Sequence, residues 1–352
     1  MLERRCLMKE DLQLNLKNFT GSMQISRLIA LPLFIILIFF TTACSTSVAS
    51  SSNNSSKTVT LNTLKNPTKN NDNALQTASF INLNTGWIVL GHSILSTKDG
   101  GLHWNEVSSI KSDVHDIDFL TENTGWLSSD DGLLRTDDGG KTWRQATNLK
   151  DITVTHVQFV NPNDGWIYGY NGPNKDGNRN YYFLRTTNAW RTWTSIKTPE
   201  PNIFGSLAFF FISPKQGWLL IGSQPGAGSQ GKTIYKTLDG GESWNKIASA
   251  SIPPKKSDGL PIGGYVSDIF FLNDNQGWFT ESRGQIYDTT DGGNTWEMVD
   301  KHPIKEWFMF KPFFESNEDG NILSADSGKL SLLETRDGGH SWKIIYPLEN
   351  GK

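Results

Sequence analysis

The chain has 352 residues, of which 36% are hydrophobic, with two cysteines and a formal net charge of −3. That length can bury a large core, two cysteines cannot build a disulfide framework, and a near-balanced charge leaves no basic field for nucleic acid.

Residues 1–43 read as an export signal. Residues 29–40 are almost wholly apolar, interrupted only by Pro32, and too few to span a bilayer as a mature anchor. Arg27 lies just before them and Thr41-Thr42-Ala43-Cys44 just after. This junction resembles a bacterial lipoprotein signal, with Thr41 where a leucine is usual. The resemblance implies acylation of Cys44, attachment to a lipid bilayer and a place on the extracytoplasmic face. The mixed charge of residues 1–22 makes Met23 the expected translation start. The alternative is an uncleaved signal anchor. Of the 33 basic and 36 acidic residues, five and three lie in 1–43, so 28 and 33 remain beyond it, a net of −5.

Residues 44–78 are rich in Ser, Thr, Asn and Lys. Such a stretch cannot repay its ordering entropy and is expected to be a disordered tether, with one strand-like run at 57–62.

Residues 79–352 carry two linked motifs. Phe-x5-Gly-Trp reads Phe80/Gly86/Trp87, Phe119/Gly125/Trp126, Phe159/Gly165/Trp166, Phe211/Gly217/Trp218 and Phe271/Gly277/Trp278; a sixth copy, Phe314/Gly320, has Asn321 in place of Trp. Each is followed by Thr-x-Asp-Gly-Gly-x-(Ser/Thr/His)-Trp or a variant, with Asp99, Asp138, Asp239, Asp291 and Asp337, closing at Trp104, Trp143, Trp193, Trp244, Trp296 and Trp342. Eleven of the 13 tryptophans therefore belong to the repeat. Self-similarity at this period signals a propeller or solenoid.

Between the motifs run short segments of Val, Ile, Phe, Tyr, Trp and Thr, such as 157–160, 166–169, 182–186 and 192–196 in the third repeat. These read as four strands per unit, the composition of a propeller blade. The segment after each Phe is turn chemistry joining strands one and two, and each Trp of the first motif is expected between blades. In the second motif the Asp accepts backbone N–H bonds across a tight turn, and the two glycines permit positive φ. Repeat three has Asn188, Ala189 and Trp190 in place of Asp-Gly-Gly, so that turn is expected to be altered.

The second motif closely resembles the Asp-box, or bacterial neuraminidase repeat. Together with Phe-x5-Gly-Trp, it makes the segment from Phe80 onward similar to the photosystem II assembly and stability factor family and its bacterial relatives. The expected fold is all-β, a single propeller of four-stranded blades. Six motif pairs favour six blades; the family resemblance implies seven, and a degenerate seventh has only residues 57–78 to occupy. The sequence provides no account of how the ring is locked.

Asp-box turns and strand one-to-two turns belong on one side of the ring, with strand two-to-three and four-to-one connections on the other. Length varies mainly in the second class, at 168–181, 221–232, 248–265 and 300–309. A rigid ring with variable loops on one face is a usual binding architecture. Candidate binding residues there are Tyr170, Arg179, Tyr181, Tyr182, Lys255, Lys256, Tyr265, Arg283, Lys305, Glu306 and Trp307. Trp307 stands out as one of two tryptophans outside the repeat, since exposed aromatics anchor interfaces.

Catalysis finds little support. Asp-box sialidases use an arginine triad, a Tyr–Glu nucleophile and an acidic Asp. Of seven arginines after the tether, Arg135, Arg144, Arg185, Arg191 and Arg336 fall at Asp-boxes, which leaves Arg179 and Arg283 for the loop side. Asp116 and Asp118, or Asp130 and Asp131, are nominal carboxylate pairs, the latter more simply a hairpin turn. The six histidines are scattered, with His115 and His156 placed to face a central channel, and no pair has metal-ligand spacing. No metal or cofactor is expected. The reading is a non-catalytic, membrane-anchored scaffold binding an unidentified protein, by resemblance a membrane protein during assembly. The alternative is a glycan-binding or glycan-cleaving surface protein, which a channel lined with aromatics and carboxylates would favour.

Overall fold

The structure is a computed structural model and describes residues 58–59, 75–145, 149, 151–172, 179–200, 207–224, 226, 228–251, 256–282, 284–299, 308–326 and 329–346. Every regular element among them is a strand. Six antiparallel sheets follow one another along the chain, and in each the four motif-bearing strands run in sequence order from the centre outward, so that together they form a six-bladed propeller. Strand one of the successive blades is Leu75–Phe80, Val114–Phe119, Thr153–Phe159, Leu207–Phe211, Val266–Phe271 and Phe308–Phe314. Strand one of the first blade begins inside the stretch read as tether, because Thr77 and Ser79 continue the channel-facing alternation opposite Ala78 and Phe80. The run at 57–62 does supply a strand, Thr58–Val59, pairing Thr58 with Asn105. It widens blade one to five strands, and the count stays at six blades, not seven.

Each piece of the double motif has a visible physical reason. The Phe ring lies over the Gly of its own motif: a Cβ on Gly125 would sit 2.6 Å from the Phe119 ring, and one on Gly277 2.6 Å from Phe271. Only glycine lets the ring approach so closely. The following Trp projects into the next blade and stacks on its Phe, with centroids 3.6 Å apart for Trp87–Phe119, 3.8 Å for Trp126–Phe159, 3.7 Å for Trp166–Phe211, 3.6 Å for Trp218–Phe271 and 3.5 Å for Trp278–Phe314. The indole N–H of Trp87, Trp166, Trp218 and Trp278 donates to the first Asp-box glycine carbonyl of that neighbour, Gly139, Gly240, Gly292 and Gly338. A separate apolar cluster fills each of the six blade junctions.

The Asp-box turns behave as expected. Asp138 Oδ1 accepts the Thr142 N–H at 2.9 Å and Asp138 Oδ2 the Thr142 hydroxyl at 2.6 Å. Asp99, Asp239, Asp291 and Asp337 repeat the backbone bond. Hydrogen bonds from Thr142 hold the Asp138 carboxyl down at about 2; at Asp239 burial opposes, but Ser243 and Thr237 bring the carboxyl to about 2. Each turn is stitched to the strand one-to-two turn of its blade, as in Gly139 N–H to Asn123 C=O at 2.9 Å, so both turn classes share one side of the ring. Trp104, Trp296 and Trp342 are buried, whereas Trp143, Trp193 and Trp244 are half-buried.

Repeat three corrects one expectation, for its turn keeps the Asp-box geometry. Asn188 Oδ1 accepts the Thr192 N–H at 3.0 Å, doing what Asp does elsewhere. Ala189 and Trp190 hold φ of 60° and 58°, close to the glycines they replace. Positive φ costs such residues energy, and packing supplies the compensation: Trp190 sits edge-on to Trp126 at 6.2 Å, with the Arg135 guanidinium 4.0 Å over its ring.

The ring closes without strand exchange, since blades one and six each take their strands from one end of the propeller. Asn321 is buried where the stacking Trp would be. In its place Leu323, Leu332 and Phe313 pack with Phe80 and Trp104. Glu315 Oε2 of blade six accepts the Leu83 N–H of blade one at 3.0 Å.

Candidate functional site

The loop-side residues chosen from sequence separate into three groups. In blade three, strands Gly165–Asn171 and Asn180–Thr186 form a hairpin of two seven-residue strands. At its tip Tyr181 stacks on Tyr168, centroids 5.8 Å apart, and stands edge-on to Tyr170 at 6.1 Å. The Arg179 guanidinium lies 4.0 Å over the Tyr170 ring. Tyr181 is 37% exposed, one of four exposed large hydrophobic side chains among the described residues. Tyr182 is half-buried and accepts a bond from Asn171 Nδ2 at 3.0 Å. Tyr265 is a brace: its hydroxyl accepts the Gly228 N–H at 3.2 Å and its N–H donates to Ser282 Oγ at 3.0 Å. Lys256 is exposed on a short fifth strand, Lys256–Asp258, of blade four. Lys255, Arg283, Lys305, Glu306, Trp307 and Cys44 lie outside the described residues.

A second concavity is the central channel, which holds a cavity of ≈ 350 Å³. Its wall is built by strand one of every blade, at two fixed offsets from the motif Phe. One residue before each Phe come Ser79, Asp118, Gln158, Phe210, Phe270 and Phe313; three residues before come Thr77, Asp116, His156, Ala208, Asp268 and Lys311. Alternation along a strand puts both offsets on the face opposite the Phe. The first ring is divided, with polar side chains in blades one to three and phenylalanines in blades four to six. Asp116, Asp118, Asp268, Lys311 and His156 also border the cavity.

Several of these polar groups clasp neighbouring blades. Ser79 Oγ accepts the Phe119 N–H at 2.9 Å, Asp116 Oδ2 the Val157 N–H at 2.9 Å, Asp118 Oδ2 the Phe159 N–H at 2.8 Å and Gln158 Oε1 the Phe211 N–H at 2.8 Å. Lys311, from blade six, reaches past blade one to blade two, where its Nζ pairs with Asp116 Oδ1 at 2.6 Å and donates to the Ile117 carbonyl at 3.1 Å. Thr77 of blade one donates to the same Asp116 oxygen at 3.0 Å. One lysine thus ties three blades across the closure.

Burial pushes the Asp118 and Asp268 carboxyls up to about 6, with Lys311 only partly offsetting it. Burial pulls the Lys311 ammonium down, but Asp116, Asp118 and Asp268 outweigh it and raise its pKa. Burial also lowers His156, which stays neutral near pH 7. A carboxyl whose pKa is raised on folding adds stability that is fully present below about pH 3.8 and is lost as pH rises through about 6. Asp118→Asn keeps the acceptor for Phe159 and removes that titration. Its unfolding free energy is therefore expected to match the parent near pH 4 and to exceed it by pH 7, by at most about 3 kcal/mol for a two-unit shift. Parallel profiles in thermal unfolding across this range would show that Asp118 does not titrate there.

His115 does not border the cavity; its Nε2 meets Asp130 Oδ1 at 2.8 Å. Asp130 and Asp131 form the expected two-residue hairpin turn. Arg135 pairs with Asp137, Arg185 donates to the Asp239 and Pro214 carbonyls, and Arg336 pairs with Asp319, so these arginines are engaged on the Asp-box side. A further buried pair, Lys232 with Glu281, is fully enclosed between blades four and five, and Glu281 also accepts the Gly264 N–H at 2.6 Å. It pins the 259–264 segment. Among the described residues no group of three His, Cys, Asp or Glu side chains is arranged to hold a metal ion.

Residues 247–350, from within the fourth strand of blade four onward, match the family model described as photosynthesis system II assembly factor YCF48. No match is found among curated proteins. Among solved structures, YCF48 bound to D1 peptide is 17% identical, covers 78% of this chain and 83% of its own, and gives a TM-score of 0.48. YCF48 from Cyanidioschyzon merolae is 17% identical, with coverage of 80% and 87% and a TM-score of 0.46. An ancestral GH74 enzyme is 14% identical, with coverage of 81% and 40% and a TM-score of 0.50. Residues 247–350 are thus similar to the YCF48 family, and the fold is shared with an enzyme.

Proposed function

We propose that the protein is an exported, lipid-anchored, non-catalytic propeller that binds a protein partner on its loop side. The observation that carries this reading is the Tyr168–Tyr181–Tyr170–Arg179 array on the blade-three hairpin. Tyr and Arg presented on a rigid edge are the side chains that anchor protein interfaces. The match of residues 247–350 to an assembly-factor family supports a protein as partner, since an assembly factor acts on other proteins. The lipoprotein-like junction at Cys44 supports a partner at the membrane.

Tyr181→Ala is expected to leave the melting temperature within the range of an ordinary surface change, about 0.5 kcal/mol, and to reduce recovery of the partner in a crosslinking pull-down from membranes at least several-fold. Undiminished recovery would remove this hairpin from the interface.

A glycan-binding reading has one observation in its favour, the aromatic and carboxylate lining of the channel. Against it, Asp116 and Asp118 are bound to backbone amides of the adjacent blade, as clasps are, and Asp116 is further bound by Lys311. An array of neutral and acidic glycans, probed with the intact protein, separates the two readings.

A further inference from the structure

The channel has a chemistry that docking on the loop side does not use. Its described wall carries three carboxylates, Asp116, Asp118 and Asp268, against one lysine, and the lysine is already committed to Asp116 and a backbone carbonyl. With His156 neutral, two negative charges are left without a cation of their own near pH 7 and above. The opposite half of the ring is aromatic: Phe210 and Phe270 have centroids 4.8 Å apart, and Phe270 and Phe313 5.9 Å apart. All three are half-buried at the cavity. Lining residues just past the end of strand one, Val160, Ile212 and Leu272, put the cavity toward the Asp-box side, away from Tyr181. A concave site with an apolar wall and a few charged groups is how small ligands are usually held, and aromatic faces with carboxylates attract cations doubly.

We propose that this channel binds an organic cation, an ammonium or guanidinium group on a hydrocarbon or aryl body. The charge faces Asp118 and Asp268, and the body packs on Phe210, Phe270 and Phe313. A neutral sugar would leave that excess charge unanswered, and an anion would add to it. The cation has two sources, a free amine or a basic side chain of a docked peptide.

Titration calorimetry on the whole protein tests this with benzylammonium against benzyl alcohol, and with a lysine-containing hexapeptide against its norleucine counterpart. Benzylammonium is expected to bind and benzyl alcohol to bind at least roughly ten-fold more weakly. Asp268→Asn and Phe270→Leu should each weaken benzylammonium by a similar factor, whereas Tyr181→Ala should leave it unchanged. Binding of the amine alone identifies a small-molecule site; equal binding of the lysine peptide identifies a side-chain pocket. If benzyl alcohol or a neutral disaccharide binds as tightly as the amine, or if no cation binds at millimolar concentration, the proposal fails. That failure leaves the loop-side reading untouched, because the readout on Tyr181 is independent. If Asp268→Asn fails to fold, the amine-against-alcohol comparison on the parent decides alone.

Discussion

Trp218→Ala lowers the stability of the propeller by about 3–5 kcal/mol, the range for removing a fully enclosed large aromatic. Trp218 is wholly buried, stacks on Phe271 of the next blade and donates its indole N–H to Gly292 C=O at 2.9 Å. Alanine empties a cavity between blades four and five and leaves a buried carbonyl without its donor, and the two losses add. Trp143→Ala is expected to cost less, about 1–2 kcal/mol, because Trp143 is half-buried; its N–H bonds Gly140 C=O at 3.0 Å within its own turn. Chemical denaturation of both variants measures the ordering. A Trp218→Ala penalty no larger than that of an exposed site such as Leu238 would mean that blade contact does not depend on the stacked indole.

The second large effect belongs to Lys311. Lys311→Met removes the one lysine from a wall with three carboxylates and unties blade six from blade two. Breaking one partner out of a buried charge cluster costs about 3–5 kcal/mol, and partial access to the channel puts the expectation near the lower figure, since the Lys311 side chain is 30% exposed. The sign of the pH dependence follows from the carboxyls: below about pH 6 Asp118 and Asp268 take up protons, so the penalty should shrink as pH falls from 8 to 5. Asp116→Asn in the Lys311→Met background should recover part of the loss. A penalty that is independent of pH, and additive with Asp116→Asn, would show that Lys311 acts only through its hydrocarbon stem.

The scaffold was legible because it is written six times. Phe, Gly, Trp and the Asp-box recur at fixed spacing, and each has a local reason that any blade repeats: a ring over a glycine, an indole on the next ring, a carboxylate across a turn. The channel was written once per blade in a different letter each time. Positions one and three before the motif Phe hold Ser79, Asp118, Gln158, Phe210, Phe270 and Phe313, and Thr77, Asp116, His156, Ala208, Asp268 and Lys311. Among them only His156 and the Asp116/Asp118 pair stand out by residue type. The offset itself was the available signal: the residue just before each Phe borders the cavity, and the residue three before it does so in four of the six blades. Closure was hidden for another reason. Asn321 breaks the motif, and its replacement is made by Leu323, Leu332 and Phe313, which pack on Phe80 and Trp104, while Lys311 reaches the Ile117 carbonyl, 194 residues away in the chain. At Asn188-Ala189-Trp190 the letters changed but the geometry persisted, because an asparagine oxygen serves as well as a carboxylate and Trp190 gains a packing partner.

Site-specific photocrosslinking tests the central claim, that the loop side is where a protein partner docks. A photoreactive phenylalanine at position 181, on the blade-three hairpin, is compared in intact membranes with one at Leu102, which is 55% exposed on an Asp-box turn of the opposite side. One dominant protein adduct is expected from position 181 and none from position 102. Equal labelling from both positions, or adducts from position 102 alone, would contradict it.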